Sequence, residues 1–212
     1  MKPGIACTIT LAVLFCLAAI SGAADTIQLP KPQTTGGKPL MQAMSERHST
    51  RDFSSREIQP QVLSNLLWAA WGINRPEGRR TVPTANNKQG MDVYAVTAMG
   101  AYLYDAAANT IRLVSDKDLR ALTGRQDFVG KAPLNLVYVS DYAKMGSISD
   151  QDKLRYSGAH AGFMGQNVYL YCASEGLGTV IRAWFDGPAL AKELKLRPDQ
   201  KAVLCQTVGY PK

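Results

Sequence analysis

The stretch that most limits the fold runs from Ile148 to Glu175 and reads as the longest helix of the chain. Leu154, Ala161, Met164, Val168, Tyr169 and Cys172 are spread along it. Small Ala159, Ala161, Gly162 and Gly165 would let another helix approach closely. Gly176-Leu177-Gly178 ends the run as a C-terminal cap; it lacks the third glycine and upstream strand of a dinucleotide fingerprint. Leu134 to Val139 is a continuous apolar run of the kind found in a central strand.

The other elements arrange themselves around these two. Asp92 to Met99, Tyr102 to Tyr104 and Thr110 to Val114 read as a meander, with a turn at Gly100 and a bend at Asp105 to Asn109. Strands follow at Thr179 to Trp184 and Ala202 to Val208. Leu40, Met41 and Met44 suggest a short helix. Pro60 opens a second one, whose broad apolar face (Val62, Leu63, Leu66, Leu67, Ala70, Trp71) must be buried against a sheet or a second subunit before Gly72 ends it. Asp116 is expected to cap a helix through Leu122, and Pro188 to start one through Leu194. Strands and helices mix without strict alternation and without an internal repeat, so the fold class is α+β.

Ahead of this domain, residues 1–24 combine Lys2, an apolar run from Ile9 to Ile20 and Ser21-Gly22-Ala23-Ala24. That pattern reads as a signal peptide cleaved after Ala23 or Ala24, which implies a periplasmic or secreted protein. An uncleaved anchor is the alternative, though the run is short for a membrane span. A lipoprotein site at Cys16 is disfavoured by bulky Phe15. Residues 25–40, with Pro30, Pro32, Gly36, Gly37 and Pro39, read as a flexible or surface-hugging arm, and residues 41–212 as one domain.

Cleavage would leave Cys172 and Cys205, expected as two buried thiols, with a single bridge between them as the alternative. It would also leave a net charge of +6, the +7 of the whole chain less Lys2. The surplus is spread out, without Lys/Arg blocks or interleaved aromatics, which argues against nucleic acid and for anionic small ligands. With His48 and His160 as the only histidines, no zinc-type spacing exists and no metal is expected. No G-x-S-x-G motif supports an esterase. The polar segment Asn74 to Gly90 is long for a plain connection, a mark of functional loops.

The most informative short segment is Glu46-Arg47-His48-Ser49-Thr50-Arg51-Asp52-Phe53. If extended, it puts Arg47, Ser49 and Arg51 on one side, a comb of two guanidiniums and a hydroxyl suited to phosphate. Taken alone, a solvated turn before a helix is the simpler reading.

Read with the rest of the chain, the comb resembles the FMN-dependent nitroreductase family, most closely the branch related to SagB-type peptide-azoline dehydrogenases. The matching pieces are Arg47 to Phe53, Leu66-Leu67-Trp68-Ala69-Ala70-Trp71-Gly72-Ile73-Asn74, Arg80 to Gln89, Gln166-Asn167 through Gly178-Thr179, and Val208-Gly209-Tyr210-Pro211. They keep order and spacing from about Met41 to the end. The resemblance implies a homodimer with FMN at the subunit interface. Arg47 and Ser49, with His48 beside them, would hold the phosphate, and Arg51 would lie near the pyrimidine edge. The loop Pro83, Thr84, Ala85 and Asn87 would reach the flavin from the partner subunit. There, Thr84 and Ala85 replace the family's usual hydroxyl pair.

The same resemblance sets the backbone of Ala183 and Trp184 against flavin N5, with Arg182 or Trp184 shaping the substrate face. Arg125 and Gln126 would lie near the pyrimidine. The chain stops at Lys212, short of the basic tail of many relatives, so Lys212 or a loop arginine (Arg79 or Arg80) would supply that charge. The implied activity is hydride transfer, by a ping-pong scheme in one site, from a reduced donor such as NAD(P)H to a nitroaromatic, quinone or similar acceptor. Export conflicts with nicotinamide supply; another donor, or a substrate-oxidising role, would resolve this. The alternative is a non-catalytic flavin- or anion-binding protein that kept the fold.

Overall fold

The computed structural model describes residues 26–212. The expected signal peptide lies outside the described residues.

In chain order the elements are β1 (Thr26–Gln28), α1 (Leu40–Glu46), α2 (Pro60–Trp71), β2 (Met91–Thr97), β3 (Gly100–Asp105), β4 (Thr110–Ser115), β5 (Leu134–Asp141), α3 (Asp150–Glu175), β6 (Gly178–Arg182), α4 (Gly187–Glu193) and β7 (Gln200–Gly209). The strands form one sheet in the order β1-β4-β3-β2-β5-β7-β6, every neighbouring pair antiparallel. This is an α+β fold.

The sheet is covered on both faces, which is why β5 reads as an unbroken apolar run. Every residue of β5 is buried, and alternate side chains serve opposite layers. Leu134, Leu136 and Tyr138 join Met91, Val93 and Ala95 of β2 under α2 and α3. Val137 and Val139 join Tyr94 and Val96 in a second cluster with Leu190 of α4, Leu119 and Leu194. Cys172 belongs to the first cluster and Cys205 to the second, so the sheet separates them and both are free thiols.

The long helix begins where Ser149 accepts a hydrogen bond from the Asp152 N–H, and it stops at Gly176 in the left-handed conformation (φ 70°). Its small residues divide by face. Gly165 lies against the sheet, where a Cβ would collide with Ile181, and Gln206 Nε2 donates to its carbonyl. Gly158 and Gly162 face outward into open space, between exposed Leu154 and Phe163. Gly165 therefore admits the sheet rather than a second helix.

One expected helix is replaced by a turn. Asp116 caps no α-helix: Asp118 instead accepts from the Arg120 N–H and clasps its guanidinium, leaving a single 3-10 turn over Arg120–Thr123. The Pro- and Gly-rich segment ahead of α1 lies pinned against the surface. Ser64 Oγ donates to Pro30 O, the Gln33 N–H to Asn65 Oδ1 and the Lys38 N–H to Ser174 Oγ. Its first residues add β1 to the edge of β4, which periodicity does not signal, because all three are exposed and carry no apolar alternation.

Candidate functional site

The comb leaves the C-terminal end of α1 and is fastened to the β6 edge of the sheet. Arg47 serves as the C-cap of α1, its N–H donating to Ala43 O. Two residues on, Ser49 Oγ shares a 2.9 Å hydrogen bond with Tyr169 OH, which accepts from the Ile181 N–H at 3.1 Å. The Arg47 guanidinium sits 5.1 Å over the Tyr169 ring. Thr50 N–H donates to Thr179 O at 2.9 Å, and Thr50 packs directly on Gly178, where no Cβ would fit. Tyr169 thus ties α3, β6 and the comb together at one hydroxyl. It reads in sequence as another apolar-face position of the helix; nothing in the spacing distinguishes it.

The remaining predicted residues fall into groups. His48 donates from Nδ1 to Glu46 O and is exposed, as is Arg51. Neither Arg47 nor Arg51 takes part in a salt bridge among the described residues. Lys212 lies beside the comb, but its ammonium pairs with Asp52 at 3.1 Å. Ala183 and Trp184 follow β6, and Trp184 is 64% exposed. The Arg125 N–H donates to Trp184 O, which sets the segment carrying half-buried Gln126 alongside.

Below this ledge lies Arg182, which turns inward rather than toward a substrate. It is 8% exposed and donates to Thr207 Oγ1, Thr123 Oγ1 and Asn135 Oδ1, all neutral acceptors. Its Nε has no partner, and its guanidinium pKa is lowered by burial.

Pro83, Thr84, Ala85 and Asn87 sit elsewhere in the same chain. The Ala85 N–H donates to His160 Nε2 at 3.0 Å, near the middle of α3 and toward its N-terminus from Tyr169. The two anchors stand nine residue steps apart on the helix, about 13.5 Å along its axis. One chain therefore does not bring loop and comb together. Arg80 is committed to the loop, donating to Gln89 Oε1 and Trp71 O while stacked on the Trp71 ring. Arg79 is exposed. Among the described residues no group of His, Cys, Asp and Glu could hold a metal ion, and no helix is long and apolar enough to cross a membrane.

A seven-strand antiparallel sheet with one long helix across it is a nitroreductase-like fold, and homologues of that family imply an oxidoreductase. The chain belongs to the nitroreductase family, whose sequence profile matches residues 44–210. A protein of Methanocaldococcus jannaschii that carries the name nitroreductase is 29% identical over 173 residues, 76% of this chain and 87% of that one. A crystal structure of a Ralstonia eutropha protein of the same name shares 42% identity. It covers 89% of this chain and 90% of its own, with a TM-score of 0.85. The fold alone is shared with a chain of the Escherichia coli microcin synthetase complex, solved with truncated pro-microcin bound (18% identity, 96% of this chain and 85% of that one, TM-score 0.67).

Proposed function

We propose that this chain is an exported, homodimeric, FMN-dependent oxidoreductase of the branch related to SagB-type peptide-azoline dehydrogenases. The observation that carries the reading is the Arg47 guanidinium, stacked on Tyr169 and in no salt bridge among the described residues, beside the Ser49 hydroxyl that Tyr169 holds in place. Nitroreductase-family proteins typically bind flavin, and these groups fit a phosphate: a fork of N–H donors and a neighbouring hydroxyl, with no carboxylate bonded to them.

Arg47 and Ser49 would hold the phosphate, with His48 at its side, and Arg51 and Gln126 would face the ring. Cationic Arg51 would favour the negative charge of the reduced ring, while backbone at Ala183 and Trp184 would line its reacting edge. FMN, when bound, supplies hydride transfer between a reduced donor, such as NADH or NADPH, and an electron-poor acceptor, such as a nitroaromatic or quinone. Pro83, Thr84, Ala85 and Asn87 would serve the partner's comb, in keeping with their separation from their own. The outward stripe of Leu154, Gly158, Gly162 and Phe163 on α3, with exposed Leu40, Met41 and Met44 on α1, supplies an apolar face for that dimer. Export rests on residues 1–24.

The test is the visible spectrum of the purified protein, followed by FMN titration. Arg47→Ala should weaken FMN about 10- to 100-fold, the worth of one charge-assisted contact. Arg51→Ala should slow reduction more than it weakens binding. A colourless protein that gains no yellow chromophore on adding FMN would sink the reading. Lys212 is held by Asp52 rather than offered to a phosphate, which favours the second reading, a non-catalytic binding protein; a flavin that binds but is never reduced by any donor would support that one.

A further inference from the structure

The loop Pro83 to Gln89 is wound tightly for a segment without glycine. Asn86, Asn87 and Gln89 all adopt positive φ (50°, 54° and 48°), the left-handed region that a glutamine side chain disfavours. Such a conformation persists only where surrounding bonds impose it. Inside the loop, the Gln89 N–H donates to Thr84 Oγ1 and the Asn87 N–H to Thr84 O. Arg80 holds the Gln89 side chain from outside. The bond that joins the loop to α3 is Ala85 N–H to His160 Nε2, at 3.0 Å.

That bond fixes the chemistry of the ring. A backbone amide can only donate, so Nε2 must present its lone pair, and the proton of the neutral imidazole sits on Nδ1. Nδ1 is buried without any partner, and the whole residue is 3% exposed. A second proton would go onto Nε2 and set donor against donor. Lys88 of the loop, with Asp152 and Tyr156 of α3, lines the cavity of about 290 Å³ beside the ring. None of them bonds to it; Asp152 is held by Ser149 and Arg155, and Tyr156 stacks on the ring at 6.0 Å between centroids. The other neighbours of that cavity, Gly90 and Met145 to Ile148, carry no charge. No carboxylate is bonded to the ring to compensate an imidazolium.

We propose that His160 is a positioning residue that holds the Pro83–Gln89 loop in its ligand-ready shape only while neutral, so that acid frees the loop and releases the cofactor it contacts. The cofactor half of this statement rests on the flavin reading above; the loop half does not. Burial alone lowers the His160 pKa below its ordinary 6.5. The sign follows: the closed loop binds the proton less well than the open one. Its stability is full above pH 6.5 and is lost as pH falls below that value through the lowered pKa.

The chain has two histidines, so an imidazole ¹H–¹⁵N spectrum of the apoprotein is simple to assign. His160 should show the tautomer with an unprotonated Nε2 and a titration below the ordinary 6.5. The amide protection factors of residues 84–89 in the apoprotein, each the ratio of intrinsic to observed exchange rate, should fall between about pH 7.5 and about pH 5, by about tenfold per pH unit between the two pKa values. His160→Gln places a carbonyl oxygen where Nε2 stood and cannot titrate, so loop protection should persist and lose its pH dependence. His160→Phe should leave the loop unprotected at every pH. FMN affinity should fall with acid in the wild type and stay level in the glutamine variant.

A protonated Nε2 in neutral His160, or wild-type loop exchange that merely follows the intrinsic rate, overturns the proposal. A loop that responds as described in a protein that never binds FMN upholds the device and refutes only the flavin reading. FMN that binds while the loop ignores pH does the opposite.

Discussion

Replacing Gly178 with alanine would measure how firmly the comb is seated on the sheet. The new Cβ would stand 2.7 Å from Thr50 Cγ2, 2.8 Å from Thr50 Cβ and 3.1 Å from Thr50 Oγ1. Carbon atoms normally meet at about 3.5–4.0 Å, so Thr50 must retreat by about 1 Å. A change of rotamer does not help, because Thr50 Cβ is itself in the way, and its N–H is tied to Thr179 O at 2.9 Å. Overpacking of this kind costs about 1–3 kcal/mol.

The displacement passes one residue back to Ser49, whose 2.9 Å bond to Tyr169 does not survive a further 1 Å or so. With that hydroxyl released and Arg47 shifted, FMN affinity should drop about tenfold or more. Urea melting reads the stability, and flavin fluorescence titration reads the affinity. Thr50→Gly removes the colliding atoms, so G178A/T50G should recover both values relative to G178A. A G178A protein with wild-type midpoint and affinity would refute the close-packing argument, as would a double variant no better than the single one.

Three further outcomes follow from the interior. Arg182→Ala leaves a cavity and strips Thr207, Thr123 and Asn135 of their shared donor, which should cost about 2–4 kcal/mol in urea unfolding. Tyr138→Phe removes the donor to Gln206 Oε1 in a fully buried pair, at about 1–2 kcal/mol by the same assay; an unchanged midpoint would show that the pair adds nothing. Burial pushes the Cys205 thiol up to about 12 and Cys172 well up, so at about pH 8 neither should react with a thiol reagent until denaturant is added. Any disulfide-linked peptide joining them in the mass spectrum of native protein would contradict their placement on opposite faces of the sheet.

How much of this could be read beforehand depends on whether the signal was local. The unbroken apolar run of β5 and the spacing along α3 announced a sheet covered on both sides, because burial on two faces leaves no polar alternation to hide it. Gly176 ended the helix where its left-handed φ required. The comb could be recognised as a set of donors, yet its anchor, Tyr169, lies 120 residues from Ser49 in the chain and was indistinguishable from packing. His160 counted only as evidence against a metal site, since its role depends on one backbone amide 75 residues away. Asp116 looked like a cap, but Asp118 had a stronger local partner in Arg120. Long-range hydrogen bonds carry no period, and the site is made largely of them.

The strand order also fixes how the molecule can be held. The chain enters the sheet at β1, on one rim, while the comb is fastened to β6, on the other. Six inter-strand gaps of about 4.8 Å lie between them, about 29 Å in all. A tether joined ahead of Thr26, whether a lipid, a membrane segment or an affinity handle, would therefore pull on the rim remote from the comb. Immobilised by that end, the protein would keep the rim that carries the comb turned outward and open to soluble partners.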